Sequence, residues 1–191
     1  MIGQAEAWRM GADTWTALTD AMGDDHWDKP STCDEWTVRE LVDHTLYWQG
    51  MAGRLLSAGT QKGDDWNTLH TAISAALDDP TRLEGNDERF SDMPRHRVFG
   101  LMLTDLLVHS WDLATSIGAE IALPEEAAEA AMFGLQRMPV EMLRSPNMFG
   151  PEVEVAADAS AQNKLIGFVG RQPQQSANTN FEHLEVIGDV R

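Results

Sequence analysis

Apolar residues recur at helical spacing over most of this chain, and turn-forming residues divide the pattern into five or six segments. Trp8, Ala12, Trp15, Leu18 and Met22 predict a first helix over residues 4–22, ended by Gly23 and the acidic stretch Asp24-Asp25-His26. Thr37 with Glu40 three residues on forms a capping box, and Trp36 and Leu41 stand where a hydrophobic staple would put them. A second helix therefore starts at 37 and runs to about Ser57, before Ala58-Gly59. Trp66, Leu69, Ile73 and Leu77 share one face of a third segment over 65–77, and residues 78–95 read as a long surface connection broken by Pro80, Gly85 and Pro94. A central helix follows from about Arg95 to Ile117, closed by Gly118. Pro124 opens the next, expected to last to about Arg144. After the breaks at Pro146, Gly150 and Pro151, Val153 and Val155 alternate with glutamates over a very short strand. Asp158 is placed to cap a last helix through Leu165, Phe168 and Val169, and residues 172–180 are polar and expected to be mobile.

The central helix carries the chemistry. From Val98 to Leu113 the ionisable residues are Asp105, His109 and Asp112, which fall within an arc of about 60° on an otherwise apolar surface. A helix apolar nearly all round is buried, and ionisable groups within it must be paired, hydrogen-bonded or bound to a metal. The matching partner is His44, which shares the inward stripe of the second helix with Leu41 and Trp48. Two imidazoles and a carboxylate from two helices make a three-ligand metal site with room for water or substrate. Each residue also has a purely structural reading, as a satisfied core histidine or an aspartate accepting hydrogen bonds from a neighbouring helix.

Length and charge narrow the field. At 191 residues the chain fits one domain, and its net charge of -17, from 14 Lys+Arg against 31 Asp+Glu, argues against a nucleic-acid partner. No apolar run is long enough to span a bilayer, which predicts a soluble, cytoplasmic protein without a membrane partner. The single cysteine, Cys33, reads as a small hydrophobe with no cation close by. His26, His70, His96 and His183 are assigned surface roles. A Gly-rich phosphate loop, a CxxC pair and a serine nucleophile elbow are all missing from the sequence.

Three stretches together resemble the DinB-like superfamily, in the branch that includes the mycothiol-dependent maleylpyruvate isomerase N-terminal domain: Pro30 to His44, Asp105 to Ala114, and Ala159 to Arg171. The resemblance implies an all-α fold, a four-helix bundle with extra short helices, over residues 1–172, followed by a polar tail over 173–191. It also implies a divalent metal, zinc before nickel, on His44, Asp105 and His109, although the isomerase would have glutamate at the position of Asp105. Asp112 would orient His109 from behind, and Trp48 and Trp111 would wall the site around a bound low-molecular-weight thiol. The function implied is a thiol-dependent transferase or isomerase acting on an electrophilic small molecule; no residue is assigned as a catalytic acid, base or nucleophile. A metal-binding or metal-free bundle without turnover, acting in stress or regulation, is the alternative, and assembly as a homodimer is left open.

Overall fold

The structure, a computed structural model, describes residues 2–146 and 148–173. The tail expected from residue 173, and His183 with it, lies outside the described residues apart from Pro173. Local signals explain most helix boundaries. At Thr37, Oγ1 accepts the Glu40 N–H at 3.3 Å while the Glu40 carboxylate accepts the Thr37 N–H at 2.7 Å, so two otherwise unpaired donors are satisfied and helix α2 (Val38–Leu55) begins. Helix α1 (Gln4–Asp20) buries Trp8, Ala12, Trp15 and Leu18 of the predicted stripe and ends before its last member, Met22, which is only partly buried. Asp65 caps α3 (Trp66–Ala76) by accepting the Thr68 N–H at 2.8 Å. Helix α4 (Arg95–Ile117) has the predicted bounds and ends at Gly118, whose φ of 71° is the left-handed conformation that glycine adopts without steric cost.

The segment before α4 is more ordered than its composition indicates. Short 3-10 turns at Pro80–Leu83 and Glu88–Phe90 flank an antiparallel pair of two-residue strands, β1 (Asn86–Asp87) and β2 (Met93–Pro94). The helix expected from Pro124 to Arg144 is in fact two, α5 (Glu125–Leu135) and α6 (Val140–Leu143). Pro139 divides them, because it has no N–H to continue the ladder and disfavours helical geometry at Met138. The last helix, α7 (Ala161–Phe168), is capped by Ser160 and not by Asp158: Ser160 Oγ accepts the Asn163 N–H at 3.2 Å. Val153 and Val155 form no strand; the Val153 N–H instead donates to the Gly167 carbonyl at 2.9 Å, which lays this segment along α7.

The fold is all-α, with α4 at its centre. Helices α1, α2 and α5 pack on α4, α5 also meets α1 and α7, and α3 lies on α2. Trp8, Leu41, Phe99, Leu103 and Leu107 are fully buried between these helices. Among them sits Gln49 of α2, also fully buried, whose Oε1 accepts the Trp8 indole N–H and whose Nε2 donates to the Met102 carbonyl of α4, both at 2.9 Å. Both ends of its amide are therefore satisfied, as a buried polar group requires. No helix among the described residues is long and apolar enough to cross a membrane.

Candidate metal centre

The packing of α2 on α4 brings His44 to Asp105 and His109. Asp105 Oδ1 lies 3.3 Å from His44 Nε2 and 3.4 Å from His109 Nε2, and the two imidazole rings stand edge to face with centroids 4.9 Å apart. One donor atom from each of the three residues lies within 4.8 Å of the other two. These separations are long for hydrogen bonds between such groups. They match the spacing of about 3.4 Å between tetrahedral ligands that each sit about 2.1 Å from a zinc-like ion. Asp105 Oδ2 is buried and has no hydrogen-bond partner, the state of a carboxylate that lacks a cation. The donor set, two nitrogens and one carboxylate, suits zinc or a related divalent ion.

Electrostatics at these three residues follow from the same geometry. Burial pushes the Asp105 carboxyl up, but His109 and His44 outweigh it and hold the group below the usual carboxylate range. Burial likewise pushes His109 down, and Asp105 and then Asp112 reverse this, leaving its pKa well above the ordinary histidine value.

Asp112, with no exposed surface, stands behind His109. Its Oδ2 accepts the Nδ1 proton of His109 at 2.8 Å, which turns Nε2 toward Asp105. The carboxylate also accepts a fork from Arg171, at 2.9 Å from Nε to Oδ1 and 2.8 Å from Nη2 to Oδ2, and the Thr32 hydroxyl at 3.1 Å. Burial would raise the Asp112 carboxyl, yet the hydrogen bonds from His109 and Arg171 and the Arg171 charge hold it below the carboxylate range. Cys33 Sγ lies 3.5 Å from Asp112 Oδ2 and 4.0 Å from Arg171 Nη2, so the expectation that no cation stands near this thiol is overturned. Cys33, His109 and Asp112 also bring donor atoms within 4.8 Å of one another. This second group already has its cation in the Arg171 guanidinium, and metal chemistry therefore points to the first.

The aromatic surroundings differ in part from expectation. Trp48 stands 6.3 Å from the His44 ring, whereas Trp111 is 4 % exposed and belongs to the hydrophobic core. The ring closest to the histidines is Trp36, 4.7 Å from His44 and 6.3 Å from His109, on the segment that leads into α2. Sequence reading missed Trp36 as a wall, and Thr32, Cys33 and Arg171 as partners of Asp112. The one local signal for Arg171 is a basic residue directly after the glycine that ends α7. Among the remaining histidines, His70 is not simply a surface residue: its ring stacks on Trp66 at 5.6 Å and lies 5.8 Å from Trp8.

Known proteins place this geometry in context. Two uncharacterized proteins of Mycobacterium tuberculosis, one from strain CDC 1551 / Oshkosh and one from strain H37Rv, are each 25% identical to the chain over 168 residues, covering 83% of it and 92% of their own length. No solved structure matches. The family model for the mycothiol maleylpyruvate isomerase N-terminal domain matches residues 8–85, a span that includes His44 and stops short of Asp105 and His109. From α1 through α3 the chain is therefore similar to a DinB-like, mycothiol-related family, the one that its Pro30 to His44 motif resembles.

Proposed function

We propose that residues 1–172 form a DinB-type helical bundle domain that holds one divalent metal ion on His44, Asp105 and His109 and uses it to join a low-molecular-weight thiol to an electrophilic small molecule. The observation that carries this reading is that three ligand-type atoms, one from each residue, lie within 4.8 Å of one another, with Asp105 Oδ2 buried and unpaired beside them. A divalent ion, when bound, supplies Lewis acidity and favours the deprotonated form of a thiol. The chain's own residues do the rest. His44 and His109 present Nε2 and Asp105 presents its carboxylate, leaving space for an exogenous ligand in a three-residue site. Asp112 keeps the His109 proton on Nδ1, so that Nε2 is the nitrogen free to ligate. Trp36 lies against both histidines and Trp48 against His44, so aromatic surface borders the site. The family similarity supports a mycothiol-type thiol as the co-substrate.

The deciding experiment is elemental analysis of protein purified without a metal-affinity step, followed by thermal denaturation with added zinc or nickel and then with a thiol. Stoichiometric metal is expected, and a ligand at a hundredfold its Kd adds about 2.7 kcal/mol, equivalent to a rise of roughly 5–11 °C for a chain of this size. A protein that holds no metal and melts at the same temperature with zinc or nickel added refutes the metal centre. One that responds to metal but to no thiol is a binding module without this turnover.

A further inference from the structure

We propose that Arg171 is a positioning residue for the candidate metal centre, acting through Asp112 on His109; the inference rests on the metal reading above. Its placement is dictated by the end of α7. The Gly170 N–H donates to the Gly167 carbonyl and the Arg171 N–H to the Ile166 carbonyl, both at 3.0 Å, the paired bonds of a Schellman turn. Gly170 has φ of +86°, and a Cβ there would stand 2.8 Å from the backbone of Gly150. A glycine is thus required, and the turn it makes sends the next side chain back against α4.

Arg171 meets Asp112 with two nitrogens. Nε lies 2.9 Å from Oδ1 and 3.2 Å from Oδ2, and Nη2 lies 2.8 Å from Oδ2. A guanidinium fork of this kind fixes the plane of a carboxylate, which a single donor does not. The fixed plane matters because Asp112 has other partners to turn toward: Thr32 Oγ1 at 3.1 Å from Oδ1 and Cys33 Sγ at 3.5 Å from Oδ2. With the fork in place Oδ2 stays 2.8 Å from His109 Nδ1, and His109 Nε2 stays opposite Asp105. Without it the carboxylate is free to rotate toward Thr32, and the imidazole loses the bond that selects its orientation and its tautomer. Arg171 touches none of the three proposed ligands and lies beyond residues 8–85, the span of the family model.

The test compares the parent with Arg171→Ala, Arg171→Gln and Arg171→Lys by zinc competition titration and by 15N resonances of the His109 ring in zinc-loaded and metal-free protein. Arg171→Ala is expected to weaken zinc binding by about tenfold or more, in the range of losses seen when partners behind a metal ligand are removed, and to shift the His109 Nδ1 resonance. Arg171→Lys restores a charge but not the fork, and recovers part of the loss. Arg171→Gln, which keeps a donor of similar reach, takes the place of Arg171→Ala if that variant does not fold. Zinc affinity and ring resonances unchanged in Arg171→Ala overturn the proposal. So does a loss of affinity with the ring resonances unmoved, because that pattern belongs to a merely structural residue. If the parent itself takes up no zinc, the metal reading fails separately, and an unmoved Nδ1 resonance in the metal-free variants still rejects the positioning role.

Discussion

Replacing Asp112 by asparagine separates charge from shape at a buried carboxylate that meets four other side chains. The substitution is nearly isosteric, but it removes the negative charge to which Arg171, His109, Thr32 and Cys33 all point. An asparagine offers one acceptor oxygen, and its NH2 group faces donors. Breaking a buried ion pair from one side costs about 3–5 kcal/mol, since the surviving charge is left without its counterion. Arg171 is 23% exposed and so partly hydrated, which places the expected loss at the lower end, about 3 kcal/mol. For a chain of this length that corresponds to roughly 6–12 °C in Tm. Zinc affinity should fall as well, by about 10- to 100-fold, because Nδ1 of His109 no longer has a full carboxylate partner. Urea denaturation of metal-free protein measures the first quantity and zinc competition the second. A variant within 1 kcal/mol of the parent, or one as tight for zinc as the parent, refutes the reasoning that Asp112 is both the anchor of Arg171 and the support of His109.

His109→Ala should abolish bound metal while far-ultraviolet circular dichroism stays helical, because Phe99, Leu103 and Leu107 of α4 keep their packing; equal metal content in variant and parent would rule out His109 as a ligand. Asp105→Glu, which supplies the longer carboxylate of the similar isomerases, should retain a zinc-induced rise in Tm while losing about 1–3 kcal/mol of metal-free stability to the added methylene; loss of the zinc response would show that reach at this position is set for aspartate. Stability of metal-free protein should depend on pH with two opposite limbs. Asp105 and Asp112 are held below the usual range, so their contribution is complete above the unfolded carboxylate value of about 3.9 and is lost as pH falls through their lower folded values. His109 is raised, so its contribution is complete below about pH 6.5 and is lost as pH rises through its folded value. Urea midpoints should therefore be highest from about pH 4 to 6.5, and Asp105→Asn should flatten the alkaline limb; an alkaline limb of equal slope in the variant would contradict the pairing of His109 with Asp105.

The parts legible from sequence were those governed by short-range rules. The capping box at Thr37 and Glu40, the glycine stop at Gly118 and the turn spacing that lines up Asp105, His109 and Asp112 are all decided within a few residues. The pairing with His44 was also legible, because an imidazole that shares the inward stripe of α2 with Leu41 and Trp48 has to meet polar groups on a facing helix. Partners that arrive from distant segments left no such trace. Arg171 meets Asp112 across 59 positions of sequence, and Trp36, fitted to a staple by its spacing, in the fold covers His44. Cys33 was misread for the same reason, since its cation comes from the far end of the chain. The division at Pro139 was a different failure. Apolar periodicity runs through it, but a proline that cannot donate outweighs periodicity.

Gln49 has a consequence for how accurately the candidate metal centre is built. Its two hydrogen bonds tie α2 to α1 and α4 at one height along the helix axes, five residues after His44 and three before Asp105 when counted from Met102. Leucine and phenylalanine side chains resist separation of two helices but tolerate sliding, because apolar contact is indifferent to direction. A directional bond is not. One turn of sliding displaces a side chain by about 5.4 Å, whereas a metal ligand must be correct to about 0.2 Å. An amide that touches none of the three candidate ligands thus helps fix the axial alignment of an imidazole on one helix with a carboxylate and imidazole on another, and part of the mechanical tolerance of the candidate centre is stored in the hydrophobic core.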